Sequence, residues 1–180
     1  VEFVKAKTRQ REFAGFRFGQ IGAFKRLQSD WSYKKDSDGA LTVRDWEYCI
    51  GIDYLNHEAE KITQSCYLIV LGNDQPRYVG SYKDTWWDRQ CVFRKKTGLN
   101  YFSHDQAYNV RDAIDEGHVV TLWILTDPIV ILPNGVHLNC SRSIEQFVTL
   151  KLASDGYPLW NASKDKAPLK PGQTFSDLFD

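Results

Sequence analysis

From residue 66 onward, runs of alternating or β-branched apolar residues are separated by clusters of Gly, Pro, Asn and Asp. Cys66 to Leu71 is strand-like, with Tyr67, Ile69 and Val70. Gly72-Asn73-Asp74-Gln75-Pro76 is a turn, and Arg77 to Tyr82 resumes extended structure. Two such runs joined by turn residues predict a hairpin. Asp84 is placed to cap a helix running through Lys96, with Gly98 near its end. Ser103 to Gln106 matches a capping box, and Ala107, Val110 and Ile114 recur at helical spacing before Gly117. Val119 to Leu125 predicts another strand, followed by a loop through Pro133-Asn134-Gly135. Ser141 opens a last helix whose apolar stripe is Ile144, Val148 and Leu152; it stops at Gly156, with Pro158 beyond. The order β-β-α-α-β-α predicts a small α+β core with a central three-stranded antiparallel or mixed sheet flanked by helices.

Upstream, Lys34-Lys35-Asp36-Ser37-Asp38-Gly39 is a strong turn signal, and residues 56–64 read as a polar connector. Residues 1–62 are therefore expected to form an N-terminal extension, 63–161 the core, and 162–180 a C-terminal arm. The arm carries Lys164, Lys166 and Lys170 with Pro168 and Pro171. The 180-residue length suits one compact domain with such additions.

Composition changes this picture in one place. The chain holds 23 Lys+Arg against 23 Asp+Glu, with 42% hydrophobic and 26% charged residues, which excludes disordered and fibrous classes. Yet residues 1–35 carry nine basic groups against three acidic ones, interleaved with Phe3, Phe13, Phe16, Phe18, Phe24, Trp31 and Tyr33. Bases neutralise phosphates and rings stack on sugars or bases, so Lys5, Lys7, Arg9, Arg11, Arg17, Lys25 and Arg26 are candidate contacts to a polyanion with stackable bases. The alternative is that the rings form a small core and the bases are its solvated face. A second cluster, Arg89, Arg94, Lys95 and Lys96, follows Trp86 and Trp87. No stretch of about 20 apolar residues occurs, so no membrane span is expected. The four cysteines show no CxxC spacing, which disfavours structural zinc and suits a reducing cytoplasm. The absence of an opening Met and of an apolar leader is read as processing or trimming ahead of Val1.

Four features suggest chemistry. Tyr67 and Tyr78 lie one on each strand of the predicted hairpin and can share a face. Tyr78-Val79-Gly80 ends in a Gly that permits a close approach. Arg89 follows on the next helix, and Glu145 lies about 100° round its helix from the buried stripe. Two phenols, a guanidinium and a carboxylate suit phosphodiester cleavage. The carboxylate can hold a hard divalent cation with several waters, Arg89 can neutralise phosphate charge, and a tyrosine can accept a proton if cations lower its pKa.

These residues resemble a known family. Cys66-Tyr67-Leu68, then Tyr78-Val79-Gly80 with ten residues between the tyrosines, look like the two signature strands of the GIY-YIG nucleases. Arg89, the helix bearing Glu145, and Asn161 in Pro158-Leu159-Trp160-Asn161 continue the same order, covering residues 65–161. The resemblance implies a GIY-YIG-type core that cuts DNA with one Mg²⁺ or Mn²⁺ per site, leaving a 5′-phosphate and a 3′-hydroxyl. It implies Tyr67 or Tyr78 as general base, Arg89 as phosphate clamp, Glu145 as metal ligand and Asn161 as a brace for the site. The chain departs from the pattern at Ser65-Cys66, at Ser81 where many members have Lys, and at Phe93 where many have His or Tyr. Lys83, Tyr82 and His104 are therefore candidate helpers in proton transfer or phosphate binding, and Arg94 competes with Arg89 for the clamp. The small size resembles type II restriction endonucleases, implying double-stranded DNA as partner and a homodimer on it, in a bacterial or phage-infected cell. Phage or mobile-element nucleases, and a binding module that no longer cuts, are the alternatives.

Overall fold

Side chains alternate across a strand, and in the segment from Ser65 to Leu71 every one of them is buried. Cys66, Leu68 and Val70 enter one apolar cluster, while Tyr67, Ile69 and Leu71 enter another on the opposite face. A strand covered on both sides reads as a continuous apolar run, as this one does, and it marks the middle of the molecule. The computed structural model describes residues 9–26, 32–35, 41–44, 50–55, 61–86, 89, 104–161, 172–175 and 177.

Around that central strand, β6 (Thr63–Leu71), an antiparallel sheet is built. β7 (Gln75–Thr85) flanks it on one side and β8 (Val120–Leu125) on the other. Beyond β8 comes β2 (Phe16–Arg26), whose outer side is shared by β1 (Gln10–Phe13) and β5 (Ile50–Tyr54). β7 is left as the opposite edge strand. Two small hairpins pair separately: β3 (Ser32–Lys35) with β4 (Leu41–Arg44), and β9 (Ile129–Ile131) with β10 (His137–Asn139).

Among the described residues each face of the sheet is covered by a helix. Ala107, Val110 and Ala113 of α1 (His104–Asp115) pack on Tyr67, Ile69, Tyr78, Tyr82 and Trp86. Ile144, Val148 and Leu152 of α2 (Ser141–Ser154) pack on Cys66, Leu68, Val79 and Trp123 on the other face. At roughly 1.5–3 kcal/mol for each large apolar side chain removed from water, these two layers are the main stabilising force. Phe175, from the C-terminal segment, makes edge contacts with Phe16 and Phe147 at 5.2 and 5.5 Å between centroids.

The α+β class and the mostly antiparallel sheet stand, but three expectations are corrected. The sheet has six strands rather than three, because β1, β2 and β5 join it. Phe18 and Phe24 of β2, read above as stacking rings or a small separate core, are buried in the two main clusters, with Ile21 beside Phe24. The β1–β2 turn escaped notice because Ala14 and Gly15 both adopt positive φ (52° and 82°), and Ala seldom does so. The helix expected from Asp84 starts later: β7 continues through Thr85, which pairs with Thr63, and the backbone is helical at Trp86 and Arg89. Tertiary pairing here outweighs the capping preference of Asp84. The loop expected through 133–135 is present, as the bend of the β9–β10 hairpin.

Because β2 buries its apolar side chains against β8 and both helical layers, residues 63–161 expressed alone should not melt cooperatively. Calorimetry on that fragment checks this; a sharp transition matching the full chain would show that β2 is dispensable.

Candidate active site

Register in the β6–β7 hairpin decides where the tyrosines meet. Tyr67 lies directly opposite Gly80, and Tyr78 opposite Ile69, so the two phenols are diagonal neighbours on one face. Their ring centroids are 5.7 Å apart. Gly80 makes this possible: a Cβ there would stand 2.6 Å from Cε1 and Cζ of Tyr67 and 2.7 Å from its oxygen. The close approach foreseen at Gly80 is thus made by Tyr67's own ring.

Arg89 reaches back over this face. Its Nε and Nη2 donate to the Tyr67 hydroxyl at 3.1 and 2.9 Å, with the guanidinium carbon 5.6 Å from the ring centroid. Nη2 also donates to Oε1 of Gln106 at 3.3 Å, and Nε2 of Gln106 donates to the Tyr78 hydroxyl. Among the described residues Nη1 has no partner. Gln106 was read only as part of a capping box; its place in α1, two residues past His104, carried no further sequence signal.

Burial is the largest influence on both phenols and pushes their pKa values up; Arg89 pulls each back toward ionisation without overcoming it. The premise that nearby cations leave a tyrosine pKa lowered is therefore corrected for the chain alone. Burial also opposes the charge on Arg89, but Tyr67, Tyr78 and Glu145 outweigh it and hold the guanidinium protonated.

Glu145 lies on the other face, half-buried on α2, and accepts a hydrogen bond from Ser81 of β7. Among the described residues no hydrogen bond or ion pair links it directly to Arg89 or to either tyrosine, although its charge is felt by all three. The edge strand β7 separates the two halves of the constellation. Asn161 closes the open side of that strand: its Nδ2 donates to the Val79 carbonyl at 2.6 Å and its Oδ1 accepts from the Val79 N–H at 3.4 Å. The Trp160 N–H adds a 2.6 Å bond to the Arg77 carbonyl.

Of the other candidates, Tyr82 is buried beside Tyr67 with its hydroxyl unpartnered, and Lys83 is exposed. His104 begins α1, its side chain outside the described residues, as are Lys5, Lys7, Arg94, Lys95 and Lys96. Arg9 and Arg17 are exposed, but Arg11 pairs with Asp74, Lys25 with Asp53, and Arg26 with Asp115. Phosphate would have to compete for those three. No group of three or more His, Cys, Asp or Glu gathers among the described residues, so of the expected ligands a metal would find Glu145 alone. One carboxylate fits a Mg²⁺-like ion that keeps most of its waters and shares substrate oxygens; it does not fit a caged ion such as structural zinc.

Fold and site together define an α+β domain with a helix on each face of the sheet and a buried Tyr-Arg-Gln-Tyr cluster beside its edge strand. No protein-family model matches the chain. No curated protein matches it either. Among solved structures it is similar to that of a mutant of bacteriophage T4 EndoII, at 16% identity and a TM-score of 0.44, over 79% of this chain and 92% of that one. A likeness at this level carries no functional weight. No helix among the described residues is long and apolar enough to cross a membrane.

Gly80→Ala should destabilise the protein by about 1–3 kcal/mol through overpacking against Tyr67, and by clearly less in a Tyr67→Ala background. Denaturant melts of the four proteins measure that coupling. A second expectation concerns Tyr82, whose pKa burial also raises. A phenol held neutral in the folded state contributes stability below pH ~10, the unfolded value, and loses it as pH rises further, since the folded state then binds more protons. Tyr82→Phe, which removes a buried hydroxyl without a partner, should leave Tm at pH 7 unchanged or higher and flatten its fall above pH ~10.

Proposed function

We propose that this chain is a metal-dependent DNA endonuclease of the GIY-YIG type. The observation that carries the reading is the doubly bonded Arg89–Tyr67 contact, with the guanidinium held protonated and its Nη1 without a partner among the described residues. A guanidinium anchored on one edge and open on the other suits a phosphate oxygen, which planar paired N–H groups match well. Its charge, held in a water-poor site, favours the extra negative charge that builds up on phosphorus-bound oxygens during substitution.

In this reading water attacks in line. The bond from its oxygen to phosphorus forms as the bond from phosphorus to the 3′-oxygen breaks, leaving a 5′-phosphate and a 3′-hydroxyl. Tyr67 or Tyr78, once ionised, takes the water's proton; burial opposes that ionisation and Arg89 favours it. Glu145, oriented by Ser81, would hold Mg²⁺ or Mn²⁺, and the ion would supply Lewis-acid chemistry to the reaction. Asn161 keeps Val79, between Tyr78 and Gly80, in line on the open edge. The exposed bases Arg9 and Arg17 are available to double-stranded DNA, with Lys5, Lys7, Arg94, Lys95 and Lys96 as further candidates. One site per chain calls for two chains to cut both strands, hence a homodimer on DNA. Sequence-specific cutting, as by a restriction enzyme, is the narrower form of the proposal, and the fragment ends of a digested plasmid report on it directly.

Supercoiled plasmid incubated with the protein and Mg²⁺ should be nicked or linearised, and a chelator should stop the reaction. Glu145→Ala and Arg89→Ala should each lower the rate by at least about 100-fold, with DNA retention on gels largely preserved. An intact plasmid with bound native protein would overturn the enzyme reading in favour of a binding module.

A further inference from the structure

Two of the hydrogen bonds at the cluster belong to a residue to which the reaction above gives no role. Gln106 is 9% exposed, and both ends of its amide are engaged: Oε1 by Nη2 of Arg89 and Nε2 by the hydroxyl of Tyr78. Chemistry settles the orientation. A guanidinium only donates, so the amide must turn its carbonyl to Arg89. The NH₂ end then faces Tyr78 and can only donate, so the Tyr78 oxygen must accept and its proton must point elsewhere. Across the hairpin stands Tyr67, whose oxygen already receives Nε and Nη2 of Arg89.

We propose that Gln106 is a positioning residue: its amide fixes the direction of donation so that both Arg89 and the Tyr78 hydroxyl are turned toward the oxygen of Tyr67. The consequence is an asymmetry between two otherwise similar phenols. Donors converging on one oxygen stabilise its ionised form, while a phenol giving its proton to a neighbour is held neutral. Consistent with this, interaction with the Tyr78 hydroxyl favours ionisation of Tyr67, whereas the reciprocal interaction disfavours ionisation of Tyr78. Tyr67 is thus the phenol prepared to take a proton, and Tyr78 serves it. The same amide also accepts from Nη2 of Arg89, one of the two nitrogens that donate to Tyr67.

This inference rests on the nuclease reading for its kinetic consequence but not for its structural one, and the test separates them. Gln106→Glu keeps the shape and still accepts from Arg89, but a carboxylate also accepts from Tyr78 and draws its proton away from Tyr67. Gln106→Leu removes both bonds. In single-turnover plasmid cleavage both variants should be slower on the order of 10- to 100-fold, with the affinity for DNA in Gln106→Leu within about 3-fold of native. Adding Tyr78→Phe to Gln106→Leu should cost little more than either alone, since the amide acts through that hydroxyl. Alongside, ¹³Cζ-tyrosine NMR over pH should show Tyr67 titrating below Tyr78 in the native protein and the gap closing in Gln106→Glu. A native protein that fails to cut sinks the nuclease reading, while the NMR arm still judges Gln106. Full cleavage by Gln106→Glu, or a gap between the two titrations that is the same as in the native protein, overturns the role proposed here.

Discussion

The site depends on one steric relation, the ring of Tyr67 laid across the bare backbone of Gly80. A side chain at Gly80 would occupy the space of that ring, so the register placing Tyr67 opposite a glycine is what brings the first phenol over the edge strand. From there its oxygen reaches Arg89, and its ring meets Tyr78, Tyr82 and Trp86. The ring is wholly buried, which shapes the electrostatics as much as the geometry. In a low-dielectric setting the Arg89–Tyr67 hydrogen bonds are stronger than they would be in water, and the same setting holds the phenols neutral.

A second constraint is the position of β7 at the end of the sheet. One face of the sheet carries Arg89's partners, Tyr67 from β6 and Gln106 from α1; the other carries Glu145 from α2. An interior strand would keep these layers apart, with neighbours on both sides. An edge strand is the one place where groups from the two faces of a sheet can approach the same ligand. Open edges also invite unwanted pairing. Here Trp160 and Asn161 answer the backbone groups of Arg77 and Val79, so the edge is covered by the chain's own later segment.

The charge distribution looks different in three dimensions. The basic excess near the N-terminus reads, along the chain, as a cationic arm. In the fold several of its bases sit on strands of the main sheet, and Arg11, Lys25 and Arg26 are matched by Asp74, Asp53 and Asp115 from distant segments. These exposed pairs contribute little stability individually. Their effect is to leave less free positive charge than a count of Lys and Arg suggests.

What the sequence by itself determined was local: the hairpin at 66–82, the helices ending near Gly117 and Gly156, the strand through Leu125, and the two tyrosines on one strand each. These follow from side-chain periodicity and turn chemistry, which act over a few residues. Tertiary structure alone decided that β1, β2 and β5 complete the sheet, that β7 runs on through Thr85, and that Gln106 leaves its capping role to bridge Arg89 and Tyr78. It also decided that the phenols are held neutral. Each of those outcomes depends on groups far apart in the chain excluding water from one another, and no local pattern encodes which distant surface a side chain will meet.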